Sequence, residues 1–481
     1  MRLGIKLFKN TSYLTIGNQI GNLLQFLFFL YFARRYGEEV VGQYSFAFSF
    51  TFLFSVFADL GLSIYLIRKV ARDQSGNRLI FARCLSLRIF SLALFSLLAV
   101  ASIFIFLNNV SADTIKMIFC LGFFHIFFSI ADVILAEFKG HDMMGLVALL
   151  NAFVRFIISG AGILLIALGF DFLHVLISFP VGSLIYLIIC IYFSLSYFKG
   201  VKIEFKHLDL KSLFKDNLPF ALTIIFSEAF YHQDILMLRL LQNNKAVGIF
   251  SAANTIVLAF MGVLLFVHTA LLPSFSRLYL ESKTQLLEVS EHSLRYLVLI
   301  GMPIAVGCYA ISDKLITLLY ADRFEYSVSV LRILSWTIVL GFAAALYSVL
   351  LTAIDRQKEK VIAIGSCLAF NFILNFILIP AMSYKGAAVT KLATEALHFI
   401  LMAYLVSKYL STISIRGIFV KSALSCLLMY IVIQLFNNWT VILLVPVAVL
   451  VYMLSLGAVK GYTKEEIEFM KRFRPKVLLN G

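Results

Sequence analysis

Charge is scarce in this chain. Only 14% of its 481 residues are Asp, Glu, Lys or Arg, and 61% are hydrophobic. A soluble domain carries about 25% charged residues, so a soluble enzyme and a disordered chain are both excluded. Proline is scarce as well, with 7 residues, which leaves long uninterrupted helices open. The six cysteines (Cys84, Cys120, Cys190, Cys308, Cys367 and Cys426) all lie in apolar runs. None forms a CxxC pair or stands near a histidine at metal-ligand spacing, so neither a disulfide framework nor a metal site follows. GxGxxG, P-loop, GxSxG and HExxH patterns are missing, and catalysis has no support. Strand-type alternation is missing too, which excludes a β-barrel. Acidic residues number 26 against 41 basic ones, for a net charge of +15. On a membrane chain that excess marks cytoplasmic loops, not a nucleic-acid surface, and no nucleic-acid partner is expected.

What the chain does have is apolar runs long enough to cross a bilayer, about 20 residues each. Fourteen can be read, roughly at 11–33, 40–66, 81–107, 116–138, 143–168, 173–197, 218–240, 246–272, 293–312, 326–353, 361–380, 386–408, 417–435 and 439–459. The expected fold class is therefore an all-α integral membrane protein of about 14 helices. The first run has no small-residue cleavage site after it and reads as an ordinary span. With Met1 in the cytoplasm, only Arg34, Arg35, Lys116, Lys245, Lys314, Arg323 and Lys385 fall in the opposite loops. The bias toward the cytoplasmic loops is about four to one, which orients the chain with both termini in the cytoplasm of a multi-pass inner-membrane protein. Residues 200–217, 274–292 and the tail from Thr463 look amphipathic. Each reads either as a segment lying on anionic inner-leaflet lipid or as a solvated connector.

An internal repeat is visible. Val41-Gly42-Gln43-Tyr44-Ser45-Phe46-Ala47 has a counterpart in Val247-Gly248-Ile249-Phe250-Ser251-Ala252-Ala253, and Ala136 to Asn151 loosely parallels Ala353 to Phe370. This divides the chain into a six-helix lobe (1–197), an amphipathic linker (198–217), a second six-helix lobe (218–410), and a pair of helices with a basic tail (411–481). Six is even, so the two copies enter the membrane in the same direction. Parallel repeats of that kind build rocking two-lobe transporters, with substrate between the lobes.

Polar residues inside spans need a partner, water or a task, because a charge at mid-bilayer costs roughly 2.5–3.5 kcal/mol even on permissive scales. Asn18, Asn22 and Gln25 form one stripe of the first span, beside the small-residue face of Gly17 and Gly21. The stripe is either a hydrated cavity wall or a helix–helix hydrogen-bonding seam. Arg155 lies midway along the fifth span, where Asp132 and Asp59 are candidates to approach it. It is half of a structural ion pair or part of a cationic surface for an anionic head group, since guanidinium forks suit diphosphate oxygens. Arg88, Arg239 and Arg332 extend that candidate cationic cavity, and Asp59 and Asp132 are its structural or gating acids. The seventh span carries Ser227, Tyr231 and Asp234 on one stripe and Glu228, His232 and Arg239 on the next. Such a helix carries protons or cations, or else an internal salt-bridge network. Asn371 and Asn375 share a face of the eleventh span, and Lys391, Glu395 and His398 share one of the twelfth. Lys391 and Glu395 are spaced to neutralise each other.

Several segments taken together resemble a known family. These are Ala33-Arg34-Arg35-Tyr36-Gly37 leading to Gly42-Gln43-Tyr44, Ala58-Asp59-Leu60-Gly61-Leu62-Ser63, Pro303 with Asp313-Lys314-Leu315-Ile316, and Asn371 and Asn375 leading into Gly386-Ala387-Ala388. In order and spacing the chain resembles the polysaccharide-flippase branch of the MOP exporter superfamily, the Wzx-type O-antigen flippases in particular. The resemblance implies a V-shaped two-lobed protein that moves a polyprenyl-diphosphate-linked oligosaccharide from the cytoplasmic to the outer leaflet by alternating access. It implies no cofactor beyond H+ or Na+ coupling. Its partners would be the lipid-linked glycan, membrane lipids and other polysaccharide-assembly membrane proteins.

Departures choose among the branches. The lipid II flippases carry arginines within their first span and drug-exporting MATE antiporters often carry an acid there; residues 11–33 contain neither. Sodium-site members use an acid on the seventh span, polar residues on the eleventh and a hydroxyl on the twelfth. Asp234, Asn371 and Asn375 look like the first two, whereas Lys391 stands about where the hydroxyl would be. The expectation is that its ammonium replaces a bound cation beside Asp234. A membrane glycosyltransferase or polymerase is the enzyme alternative, disfavoured by outer loops of at most about a dozen residues.

Overall fold

The apolar runs fold as helices throughout, and no strand occurs among the described residues. The computed structural model describes residues 2–59, 61–72, 77–106, 110–198, 210–262, 264–413 and 416–462, with side chains left out over 2–16, 18, 210–220 and a few further positions. In chain order the helices are α1 (Arg2–Asp59), α2 (Leu62–Arg72), α3 (Asn77–Phe106), α4 (Ala112–Gly140), α5 (Met144–Ala167) and α6 (Phe172–Phe198). There follow α7 (Leu210–Leu241), α8 (Asn244–Met261), α9 (Leu264–Glu281), α10 (Lys283–Ala310), α11 (Ser312–Tyr320) and α12 (Ser327–Leu334). The last five are α13 (Trp336–Ala353), α14 (Gln357–Met382), α15 (Tyr384–Tyr409), α16 (Arg416–Leu435) and α17 (Val441–Ala458).

By length and composition, twelve helices among the described residues are fit to cross a membrane, against the fourteen expected. Two features account for the difference. Helix α1 is broken at Gly37, whose φ of 83° and ψ of −178° only glycine adopts freely. Gln19–Asp59 counts as one of the twelve, yet at 1.5 Å per residue it is about 60 Å long, twice a hydrocarbon core of about 30 Å. Helix α7, which carries Glu228, His232, Gln233 and Asp234, is not among the twelve. The second apolar run also ends earlier than its hydropathy predicts. Gly61 (φ 72°) turns the chain after Asp59, and residues 62–72 become a separate amphipathic helix. Its face of Leu62, Ser63, Leu66 and Val70 is buried, while Arg68, Lys69 and Arg72 are exposed.

Helices α1 to α6 pack mainly on one another, as do α7 to α15, and the two bundles meet where α1 lies against α7 and α8. The last two helices form a hairpin on α10. Its core joins Cys426, Met429, Leu444 and Tyr452 to Val298 and Met302. Tyr452 Oη donates to the Leu299 carbonyl at 3.0 Å. Lys314 Nζ on α11 reaches the carbonyls of Trp439 (2.7 Å) and Asn437, and Arg295 on α10 that of Gly461, so the hairpin is tied to both helices. Of the three amphipathic stretches, 274–292 is the end of α9 and the start of α10, parted at Ser282, whose hydroxyl caps Gln285 N. The stretch 200–217 (apart from the helical backbone of 210–217) and the tail from Thr463 lie outside the described residues.

Candidate functional site

The repeat reappears as geometry where the bundles touch. A Cβ added at Gly42 would fall 1.8 Å from the Asn244 carbonyl oxygen, and one at Gly248 1.8 Å from that of Glu38. Residues 38 and 244, like 42 and 248, are separated by the same offset along the chain, so this is one contact made twice about a pseudo-two-fold axis. Only hydrogen at both positions lets the backbones approach so closely. Polar contacts gather around the crossing. Lys245 Nζ lies 2.7 Å from Glu38 Oε1, and Asn244 Nδ2 donates to Glu39 Oε1 at 3.0 Å. Arg34 donates to the carbonyls of Leu319 (2.7 Å) and Leu318, and Arg323 to that of Arg35 at 3.2 Å. Farther along, His232 Nδ1 meets Ser49 Oγ at 3.0 Å, and Gln19 Nε2 donates to the Gly262 carbonyl at 3.0 Å.

Within the second bundle, α7, α14 and α15 bring a connected polar network together. Asp234 is 0% exposed and Lys391 5%. Lys391 Nζ sits 3.3 Å from Asp234 Oδ2, and Asn375 Nδ2 donates to Asp234 Oδ1 at 2.9 Å. Asn375 also donates to Asn371 Oδ1 at 2.7 Å. Asn371 passes the chain to Thr394 Oγ1 at 3.2 Å, and that hydroxyl donates to the Thr390 carbonyl at 2.7 Å. One turn of α14 separates the two asparagines, which puts them on one face, Asn375 bonding across to α7 and Asn371 to α15. The ammonium thus stands directly on the carboxylate. Glu395, spaced to neutralise Lys391, lies instead 3.5 Å from His398 Nδ1. Thr394 is the residue that sequence reasoning missed: a hydroxyl is present on this helix, one turn past the lysine.

The first bundle has its own cluster. Arg88, 2% exposed, lies 2.5 Å from Asp59 Oδ1 and 3.7 Å from Asp132 Oδ2. Ser63 is its hub: its hydroxyl donates to Asp132 Oδ2 (2.7 Å), lies 3.1 Å from Asp59 Oδ1 and accepts from Arg88 at 3.1 Å. Lys139 Nζ adds a second cation 3.7 Å from Asp132 Oδ1. Both acids expected near Arg155 are therefore engaged by Arg88: Asp59 ends α1 beside α3, and the Gly61 turn folds Ser63 back between Asp59 and Asp132. Arg88 is buried there.

The four arginines are not gathered into one cationic wall. Arg155, half-buried on α5, donates to Asn22 Oδ1 on α1. The small face of α1 makes room for it, since a Cβ at Gly21 would lie 2.3 Å from Arg155 Cδ. Gln25 is half-buried one turn on, and the side chain of Asn18 lies outside the described residues. Arg239 places its guanidinium 5.8 Å from the Phe46 ring of the other bundle. Arg332 is exposed and donates to Ser312 Oγ at 2.9 Å. Glu228 is half-buried and stands apart from the Asp234 network.

Comparison with known proteins is consistent with this architecture. The family model described as "Polysaccharide biosynthesis protein" matches residues 7–279, and the MatE model matches residues 219–377. A relative described as the probable low-salt glycan biosynthesis flippase Agl15 of Haloferax volcanii is 24% identical, over 85% of this chain and 84% of its own. The capsular polysaccharide biosynthesis protein CapF of Staphylococcus aureus is 23% identical, over 79% of this chain and 94% of its own. Among solved structures, the lipid II flippase MurJ in an inward closed conformation matches with a TM-score of 0.76 at 19% identity, covering 92% of this chain and 97% of that one. An inward-facing multidrug resistance MATE transporter of the MOP superfamily matches with a TM-score of 0.63 at 16% identity, covering 81% and 94%. At such identities the structural matches speak for the fold alone, and that fold is the helical MOP type.

Proposed function

The chain belongs to the polysaccharide biosynthesis protein family, and from that premise we propose that it is a flippase for a lipid-linked glycan and not an enzyme. The observation that carries this reading is the likeness to a glycan biosynthesis flippase along most of both chains. The transported molecule is a polyprenyl-diphosphate-linked oligosaccharide, moved from the cytoplasmic to the outer leaflet of the inner membrane. Crossing unaided would strand a charged, hydroxylated head group in hydrocarbon, whereas a polar passage removes that cost and leaves the polyprenyl tail in lipid. Arg155 with Asn22 is the head-group contact, since a guanidinium fork suits diphosphate oxygens.

Both termini are assigned to the cytoplasm by the loop charges, which puts the Gly37 end of the bundles on the outer side. The glycine crossing and the polar contacts around it then hold the passage shut toward the outside. Transport proceeds by parting that crossing while the bundles close at their other ends. Coupling is assigned to Asp234 and Lys391. An ammonium 3.3 Å from the carboxylate occupies the place of a bound metal cation, so protons and not sodium are the coupling ion. Protonating Asp234 removes the charge that holds Lys391, and the network then loosens.

Reconstituted translocation of a fluorescent polyprenyl-diphosphate oligosaccharide tests the reading. Wild type moves the lipid, Arg155→Ala fails, and Asp234→Asn transports without responding to a pH gradient. Sodium-dependent transport in wild type that disappears in Lys391→Ala would count against the coupling assignment. The MatE match across residues 219–377 favours one second reading, drug or cation antiport. A wild type that leaves the lipid in place but expels small cations along a proton gradient would establish that reading instead.

A further inference from the structure

Two ionisable groups of α15 have no part in the network so far. Glu395 and His398 follow Lys391 on that helix, one and two turns on. The carboxylate is buried and the imidazole half-buried, with Glu395 Oε2 3.5 Å from His398 Nδ1. Among the described residues no hydrogen bond reaches that carboxylate, and neither ring nitrogen of His398 has one. The imidazole is packed instead on Phe230 of α7, at 5.5 Å between ring centroids. Polar groups left without hydrogen bonds in an interior are exceptions that ask for a function.

Helical spacing supplies a partner for Glu395. Residues four apart on a helix bring their Cβ atoms to about 5–6 Å, a gap that a lysine stem spans. As the chain is folded here, the Lys391 ammonium is drawn across to Asp234 on α7, at 3.3 Å. It also lies 6.0 Å from the Tyr231 ring, and Tyr231 feels the charge of Glu395, so one side chain stands between two carboxylates. We propose that Glu395 is the second seat of the Lys391 ammonium, occupied whenever Asp234 is neutral. The exchange keeps the interior uncharged. Before it, Asp234 and Lys391 cancel, and the Glu395–His398 pair carries one proton. After it, Asp234 holds a proton, Lys391 and Glu395 cancel, and His398 is a neutral imidazole. One proton is taken up at Asp234 and one is given up by the pair, so no unpaired charge is left in a dry interior.

The other ionisable groups around Glu395 leave this seat to Lys391. From α7 it is faced by Tyr231, with Glu228 near it, and from α14 by Cys367. Tyr347 of α13 packs beside it on Phe399. His232 lies on the Lys391 side, its Nδ1 on Ser49. The cations of α8 and α12, Lys245 and Arg332, are engaged at Glu38 and Ser312.

This inference rests on the coupling role given to Asp234 and Lys391, and its test reads the ion pair as well as transport. Asp234→Asn stands for the protonated acid. Thermal unfolding of wild type, Asp234→Asn, Glu395→Gln and the double variant, each purified in lipid nanodiscs, forms a mutant cycle. Glu395→Gln alone should lower Tm little, because the amide replaces a carboxylate that its pair already neutralises. In the Asp234→Asn background the same change leaves Lys391 without a carboxylate, and the loss of Tm should be several-fold larger. Glu228→Gln in that background should add nothing. A cryo-EM structure of Asp234→Asn should show Lys391 Nζ turned onto Glu395. Equal losses from Glu395→Gln in the two backgrounds, an equal loss from Glu228→Gln, or an ammonium that stays beside position 234 would overturn the second seat and leave the coupling assignment standing. An Asp234→Asn variant whose transport still follows a pH gradient would remove that assignment, and the exchange of seats with it.

Discussion

Arg88 in the first bundle and Lys391 in the second are both withdrawn from solvent, yet their acids are treated differently. Asp132, one of the two carboxylates facing Arg88, remains 32% exposed and has a second cation in Lys139. Asp234 is fully buried, with Lys391 as its ion-pair partner and Asn375 as its hydrogen-bond donor. The first cluster ties the end of a long helix to α2, α3 and α4 through Ser63, and water at its edge can absorb a change of charge. The second is dry. There a proton cannot be gained or lost without changing what Lys391 touches. Such a pair is weak support for stability, because desolvation offsets most of its attraction. It is well placed to respond to protonation.

The largest effect should follow from halving the dry pair. Lys391→Met leaves Asp234 buried without a counter-charge, and about 3–5 kcal/mol of stability should be lost in thermal unfolding of the purified protein. Asp234→Leu combined with Lys391→Met should recover most of that loss while transport stays uncoupled from pH. If the double variant is as unstable as the single one, the pair holds the fold together and the contrast between the clusters fails.

Arg88→Ala should cost less, about 2–3 kcal/mol, because the acids it abandons keep Ser63, Lys139 and partial access to water. Equal losses at Arg88 and Lys391 would mean that the partial exposure of Asp132 does not matter.

How far all this was legible in the sequence depends on which physical rule decides each feature. Apolar run length gave most of the helices, and the i, i+4 rule placed Asn371 and Asn375 on one face, from which Asn375 meets Asp234 and Asn371 joins it to Thr394. The loosely matched repeat showed its meaning only in space, as Gly42 and Gly248 exchange the same contact. Pairing was the hardest to read. Asp59 and Asp132 were candidates for Arg155, but the packing of α1 and α4 on α3 places both beside Arg88, and the turn at Gly61, which depends on one positive φ, brings Ser63 between them. Lys391 has Glu395 within reach along its own helix, and tertiary packing turns its long stem toward α7. Thr394 escaped notice because a threonine in a helix commonly bonds its own backbone. It does so here, to Thr390, while also accepting from Asn371.

A different substitution separates contacts within bundles from those between them. Gly42→Ala puts a methyl group onto the Asn244 carbonyl, and backbone cannot move aside as a side chain would. Both ionic clusters lie away from this crossing, so the expected result is a change in bundle separation with little loss of helix. Spin labels on the two bundles near Gly37 should report a longer distance in Gly42→Ala than in wild type. Gly160→Ala, where the added methyl meets open space, should report no change. An unchanged distance in Gly42→Ala would show that the glycine crossing does not control closure.

The smallest effect tests how far the dry network extends. Thr394→Val keeps the shape of the side chain and removes the hydroxyl that accepts from Asn371 at 3.2 Å. One neutral hydrogen bond is worth about 1 kcal/mol net, so thermal unfolding should register a small loss. The informative quantity is the pH at which transport is half-maximal. If the chain from Thr394 through Asn371 and Asn375 orients the donor on Asp234, that amide turns more freely in Thr394→Val and the carboxylate keeps less of its stabilisation. The pH profile of transport should then differ from that of wild type. A variant with the small loss of stability but an unmoved pH profile would confine the responsive unit to Asp234, Lys391 and Asn375, leaving Asn371 and Thr394 as packing between two helices.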